Sequence, residues 1–172
     1  MNLLERYTHI KSQISLLEKR LGCPGTVRLL AVSKGQSCVD IKALSEVGQV
    51  DFAESYVQEA ASKIAELKNA TIVWHYIGRI QSNKLKEIAR HFSWVHSVSS
   101  IKQACKLNEL SAQNNKRLNI CIQVNVTGSE RKSGVTPEQL FNLIDGLSKF
   151  SFLNFRSKIS NGTLFLSKVF FK

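Results

Sequence analysis

Lys34 follows directly on an apolar run, residues 27–33 (VRLLAVS). In parallel α/β folds the carboxyl end of a buried strand is where ligands and reactive groups gather. A lysine leaving such a run is expected to have a partly desolvated amine, which lowers its pKa and frees the lone pair to attack an aldehyde. That is the requirement for a Schiff-base lysine. The competing reading is a strand-end lysine whose stem covers apolar surface while its head reaches water, and position alone favours it.

Two further segments join polar chemistry to a strand end. Residues 74–84 (WHYIGRIQSNK) span a strand end, a glycine turn and a helix start. Gly78 allows close backbone approach. Gln81, Ser82 and Asn83 place neutral polar groups at a helix amino end, which suits an anion or polar ligand. The plainer expectation makes Ser82 an N-cap and His75 a hydrogen-bonded histidine within a strand. Residues 125–134 (NVTGSERKSG) again leave a strand and precede a helix; Arg131 and Lys132 stand beside Ser133 and Gly134, where a phosphate could sit. By itself this segment reads equally as a solvated loop.

The elements that position these residues alternate. Leu3, Tyr7, Ile10, Ile14, Leu17 and Leu21 make one helical stripe, closed by Gly22, Pro24 and Gly25. Apolar runs follow at 27–33, 50–54, 71–77, 94–98 and 118–126, the first read as a strand buried on both faces. Helices fill the gaps, with cap signals at Ser37/Asp40, Ser100/Gln103 and Thr136/Gln139 and a first-turn proline at 137. Such alternation means parallel βαβ units, in either a doubly wound sheet or the first part of a (β/α)8 barrel. No G-x-G-x-x-G follows the first strand, against a dinucleotide fold.

Composition narrows the classes. Apolar residues at 43 % and charged residues at 22 % describe an ordinary globular chain. Glu5 and Arg6 interrupt the start where a secretory signal needs an apolar run, and no stretch approaches the roughly 18 apolar residues of a membrane span. Cys23, Cys38, Cys105 and Cys121 show neither C-x-x-C nor zinc-ligand spacing, so free thiols and no metal are expected. The net charge of +11 suggests nucleic acid, yet the five basic residues of 149–172 face no acidic one, and the rest is mixed helix-surface charge. No nucleic-acid motif accompanies it, and we expect no such role.

The combination of LLAVSK at 29–34, FAESYVQE at 52–59, WHYIGRIQSNK at 74–84 and KSG at 132–134 resembles the pyridoxal phosphate homeostasis proteins, single-domain relatives of the alanine racemase barrel. The resemblance runs from the first helix to about residue 150. It implies an α/β fold, a partial (β/α)8 TIM-type barrel of about five βα units plus a candidate sixth strand (SFLNFRS), with an extra N-terminal helix. It implies pyridoxal 5′-phosphate held as a Schiff base on Lys34, with Ser55, His75, Gly78, Ser82, Asn83, Asn125, Lys132, Ser133 and Gly134 around it. It also implies no turnover reaction, a cytoplasmic role in cofactor homeostasis, and no membrane. The sequence departs from the family's pattern at Ala53 and Ser55, where glycine and asparagine are usual, and at Gln36, where a second lysine is common.

The end departs further. Six of the nine phenylalanines fall within 150–171, and the family's R-G-L-M-A-I-P-like strand is not found. We expect 1–150 to be an incomplete barrel domain and 151–172 an atypical, aberrant Phe-rich basic tail, with self-association through an unpaired barrel edge. A complete barrel needs about 80 to 100 more residues. Alternatives are a pyridoxal-phosphate-dependent amino-acid racemase, set against the lack of a second domain to supply an acid–base partner, and a non-enzymatic basic interaction module.

Overall fold

A computed structural model describes residues 2–129, 132–160 and 169–171. The N-terminal stripe forms α1 (Leu3–Arg20), opened by a reciprocal Asn2–Glu5 capping box. The first apolar run is split into β1 (Val27–Leu29) and β2 (Ala31–Val32). Next come α2 (Cys38–Glu46), β3 (Asp51–Glu54), α3 (Val57–Glu66) and β4 (Val73–Tyr76). A 3-10 turn (Ser82–Lys84) runs into α4 (Leu85–His91), followed by β5 (Trp94–Val98), α5 (Ile101–Gln113), β6 (Leu118–Val124), α6 (Pro137–Leu147), β7 (Leu153–Ser160) and β8 (Val169–Phe171).

Strand order decides between the two architectures. Strands β2 to β7 form one parallel sheet in the spatial order of the sequence. A doubly wound sheet reverses its order at a switch point, and this sheet does not. Sequential order with helical crossovers is the winding of a (β/α) barrel. The candidate sixth strand is β7, paired with β6 from Leu118↔Leu153 to Val124↔Ser160. The break in composition at residue 150 therefore lies just ahead of a strand that belongs to the barrel sheet. β1 pairs antiparallel with β8 in a separate ribbon. Residues 161–168 and 172 of the expected tail lie outside the described residues.

Period-2 alternation divides the sheet into two unlike faces. Phe52, Trp74, Tyr76, Val95, Leu118, Ile120 and Ile122 face the helices and pack in one core with Val57, Ala60, Ile88, Leu107, Leu140 and Leu143. Each such side chain contributes about 1.5–3 kcal/mol on burial. The intervening residues, among them Asp51, His75, Trp94, His96 and Cys121, line the barrel interior.

Two expectations are corrected. The first run is not buried on both faces: Arg28 is exposed and Val32 is 44 % exposed. Among the described residues β2 has a neighbour only on its β3 side, and an edge strand leaves part of its surface uncovered. Ser82 is not an N-cap; it lies inside the 3-10 turn, and Gln81 precedes it without a side-chain cap. Ser37, Ser100 and Thr136 do cap, accepting from the amides of Asp40, Gln103 and Gln139. Each such cap is worth about 1 kcal/mol.

Candidate functional site

Lys34 sits at the carboxyl end of β2 in a tight turn, closed by the Gln36 amide donating to the Ser33 carbonyl at 2.9 Å. Gly35 takes φ +71 at the third position, the type II arrangement, which a side chain would resist. The turn lifts Lys34 off the strand, so the residue is exposed and the expected desolvation of its amine is not met.

The turn is held from several sides. The Ser33 amide donates to the Ala53 carbonyl at 2.9 Å, and the Ser33 hydroxyl donates to Glu54 Oε1 at 2.7 Å. Lys63 Nζ, reaching back from α3, donates to the Ser33 carbonyl at 2.8 Å, Glu54 Oε1 at 2.8 Å and Glu59 Oε1 at 2.7 Å. Those bonds use all three ammonium donors. Glu59 Oε1 also accepts the Gly35 amide at 2.7 Å. Burial alone would lower the Lys63 pKa, but its bonds to Glu54 and Glu59 outweigh this and raise it, keeping the ammonium charged. The Lys63 bond, then the Gly35 amide, holds the Glu59 carboxyl below its usual range. Glu54 and Glu59 lie within FAESYVQE, where residue types alone assign them no role; the only local signal is the i,i+4 spacing of Glu59 and Lys63.

The other motifs form the same rim. Ser55 leaves β3 and its carbonyl packs on Gly78, where a Cβ would stand 2.1 Å from that oxygen; only glycine fits. The Gly78 carbonyl accepts the Ser97 hydroxyl at 2.6 Å. Ser82 and Asn83 are exposed in the following turn. Asn125 is buried and builds its own loop: Nδ2 donates to the Ser129 carbonyl at 2.8 Å and the Lys132 carbonyl at 3.2 Å. The Ser133 carbonyl accepts from Gln123 Nε2 at 2.9 Å, and Gly134 packs on the Asn125 amide. Lys132 is exposed at the tip of this loop, and Arg131 lies outside the described residues. A cavity of about 230 Å³ joins the second and third motifs, lined by Arg79, Ser97, Gln123 and Ser133 among others.

His75 lies deeper in the barrel. Its Nε2 is 3.0 Å from Asp51 Oδ1 and its Nδ1 is 2.9 Å from His96 Nε2. Asp51 is also gripped by Arg28 through both carboxylate oxygens. Burial holds the His75 pKa below 6.5 against the pull of Asp51, so the ring is neutral. A carboxylate only accepts, so Nε2 carries the proton and Nδ1 accepts from His96. Burial resists ionisation of Asp51, yet bonds from His75 and Arg28 prevail and hold its pKa below 3.8. Trp94 stacks on both His75 and His96, with ring centroids 5.3 and 5.8 Å away. The nearby Cys121 thiol is pushed up to about 12 by burial and is inert at neutral pH.

This buried chain makes the fold acid-sensitive. As pH falls below 6.5, the unfolded chain takes up a proton that folded His75 resists, and stability drops until the folded pKa is reached. Below 3.8 Asp51 adds a loss of the same sign. The thermal midpoint is expected to fall between pH 7 and pH 5, and His75→Asn to flatten that decline. An unchanged slope in the variant would contradict the assignment.

Comparison with known proteins places this arrangement. The model of the alanine racemase N-terminal domain matches residues 6–163. The pyridoxal phosphate homeostasis protein of Vibrio alginolyticus is 39 % identical over 164 residues, which cover 92 % of this chain and 70 % of that protein. The chain belongs to this family. The homeostasis protein of Pseudomonas aeruginosa is 45 % identical over 133 residues, covering 77 % of this chain but only 58 % of the relative. The family member PipY of Synechococcus elongatus, solved with PLP bound, superposes with a TM-score of 0.82 at 30 % identity, covering 96 % of this chain and 73 % of that one. The family model thus runs past residue 150 and takes in β7.

Proposed function

We propose that this chain binds pyridoxal 5′-phosphate on Lys34 and serves intracellular homeostasis of that cofactor, with no turnover of its own. The observation that carries the reading is the placement of an exposed primary amine, on a turn braced by buried ion pairs, at the carboxyl end of a sequentially ordered parallel sheet. The name of the curated relatives and the PLP-bound PipY support it.

The donor set at the rim fits such a group. Lys34 supplies the amine for the aldehyde. Lys132, with the loop ending at Ser133 and Gly134, supplies a cation and backbone amides suited to an anion. Ser55, Ser82 and Asn83 offer neutral polar contacts beside Gly78. His75 and Asn125 act from behind: their ring nitrogens and amide are bonded within the fold, so they shape the rim rather than reach a ligand. When bound, the cofactor would supply an aldehyde carbon, and Lys34 is the residue that would hold it through its amine.

The absence of turnover rests on the acid–base groups. Moving a proton at an amino-acid α-carbon requires a positioned acid or base. The Tyr76 hydroxyl is donated to the Arg79 carbonyl at 2.9 Å and burial raises its pKa, so it stays protonated and occupied. No helix among the described residues is long and apolar enough to cross a membrane. We take the partner to be a small molecule, the setting to be the cytoplasm, and nucleic acid to play no part.

The test loads the chain with pyridoxal phosphate in heavy water and adds L- or D-alanine. The expected result is a visible adduct band with no deuterium entering the α-position. Deuterium incorporation or racemisation at enzymatic rates would establish the racemase reading instead.

A further inference from the structure

We infer that Glu59, backed by Lys63 and Glu54, is a positioning residue that fixes the Lys34 turn. Only the cofactor arm of its test rests on the function proposed above. The Gly35 amide belongs to the peptide that Lys34 itself begins, so Glu59 grips the backbone two bonds beyond the Lys34 Cα. Lys63 grips the carbonyl on the other side, that of Ser33, which also closes the turn. The two grips are joined, because Lys63 bonds the same Glu59 oxygen that holds Gly35.

The arrangement is more than a strand-end hydrogen bond. Lys63 and Glu54 are nearly inaccessible, with side-chain exposures of 8 % and 0 %. An acid and a base buried there, with a second acid at the margin, are costly to desolvate unless they are tightly bonded. Here their bonds converge on the two peptides flanking one exposed lysine. Fixing the backbone on both sides limits the Lys34 amine to the sweep of its own side chain, which lowers the entropy lost when the amine is captured.

Two variants and two readouts test this. Glu59 is 30 % exposed, so the chain tolerates its replacement better than that of its buried partners. Glu59→Ala deletes the acceptor; Glu59→Gln keeps an oxygen for the Gly35 amide. Hydrogen exchange at the Gly35 amide needs no cofactor. The expected result for Glu59→Ala is exchange about tenfold faster at Gly35 with protection of β3 intact. The same variant is expected to bind pyridoxal phosphate at Lys34 about tenfold more weakly, with Glu59→Gln close to wild type in both.

Unchanged Gly35 exchange in Glu59→Ala, or a Gln variant as impaired as the Ala variant, would overturn the inference. So would loss of protection across the whole sheet, which would mean general stabilisation. A wild-type chain that forms no adduct would refute the proposed function, while the exchange arm still decides the brace.

Discussion

Lys34→Ala is expected to abolish the visible adduct band and weaken pyridoxal phosphate binding by about two orders of magnitude, about 2.7 kcal/mol. The side chain has no bond to the rest of the described chain and the residue is exposed. Its removal should therefore shift stability by no more than about 0.5 kcal/mol. That separation of effects makes the variant informative, because lost binding could not be blamed on unfolding. Lys34→Arg keeps the positive charge but not the nucleophile, since a guanidinium stays protonated. It is expected to retain weak, salt-sensitive binding with no adduct band. An absorbance titration beside a thermal melt checks both variants, and a wild-type band in Lys34→Ala would contradict the assignment.

Lys63→Met is expected to be the most destabilising change near the site, by about 3–5 kcal/mol. Its partner Glu54 has no exposed surface, and Glu54 Oε2 has no hydrogen-bond partner among the described residues. Without the ammonium, Glu54 keeps only the Ser33 hydroxyl. A buried carboxylate left in that state must be neutralised or hydrated, and folding loses the difference. Against a typical domain stability of about 5–15 kcal/mol, this leaves a marginal protein. Glu54→Leu combined with Lys63→Met removes both charges and is expected to regain much of the loss. A urea midpoint for Lys63→Met close to wild type, or a double variant no better than the single, would show that the pair is not the buried anchor described.

The two findings differ in how visible they were beforehand. Lys34 was legible because strand ends can be read from apolar runs, and the lysine follows one directly. Sheet topology was not legible from pattern, since barrels and doubly wound sheets share the same βαβ rhythm; family resemblance and then strand order supplied it. The polar barrel interior was hidden for a related reason. Runs such as VDFAE and WVHSV carry polar residues among apolar ones; every second residue faces inward, and there Asp51, His75 and His96 meet. One polar residue in the middle or at the start of successive strands was the available signal. The desolvation expected at Lys34 failed because a strand end says nothing about the turn that follows. Apart from the Glu59–Lys63 pair within α3, the brace joins residues 9 to 30 positions apart on different elements, which no local pattern encodes. Asn125 follows a strand, a place that suggests a ligand contact, yet its side chain is spent on folding its own loop.

The most direct measurement treats the wild-type chain with pyridoxal phosphate, reduces it with borohydride and maps the modified peptide by mass spectrometry. The account predicts one stable modification, on the peptide carrying Lys34. Modification spread over exposed lysines such as Lys132, or confined to another residue with Lys34 untouched, would contradict it.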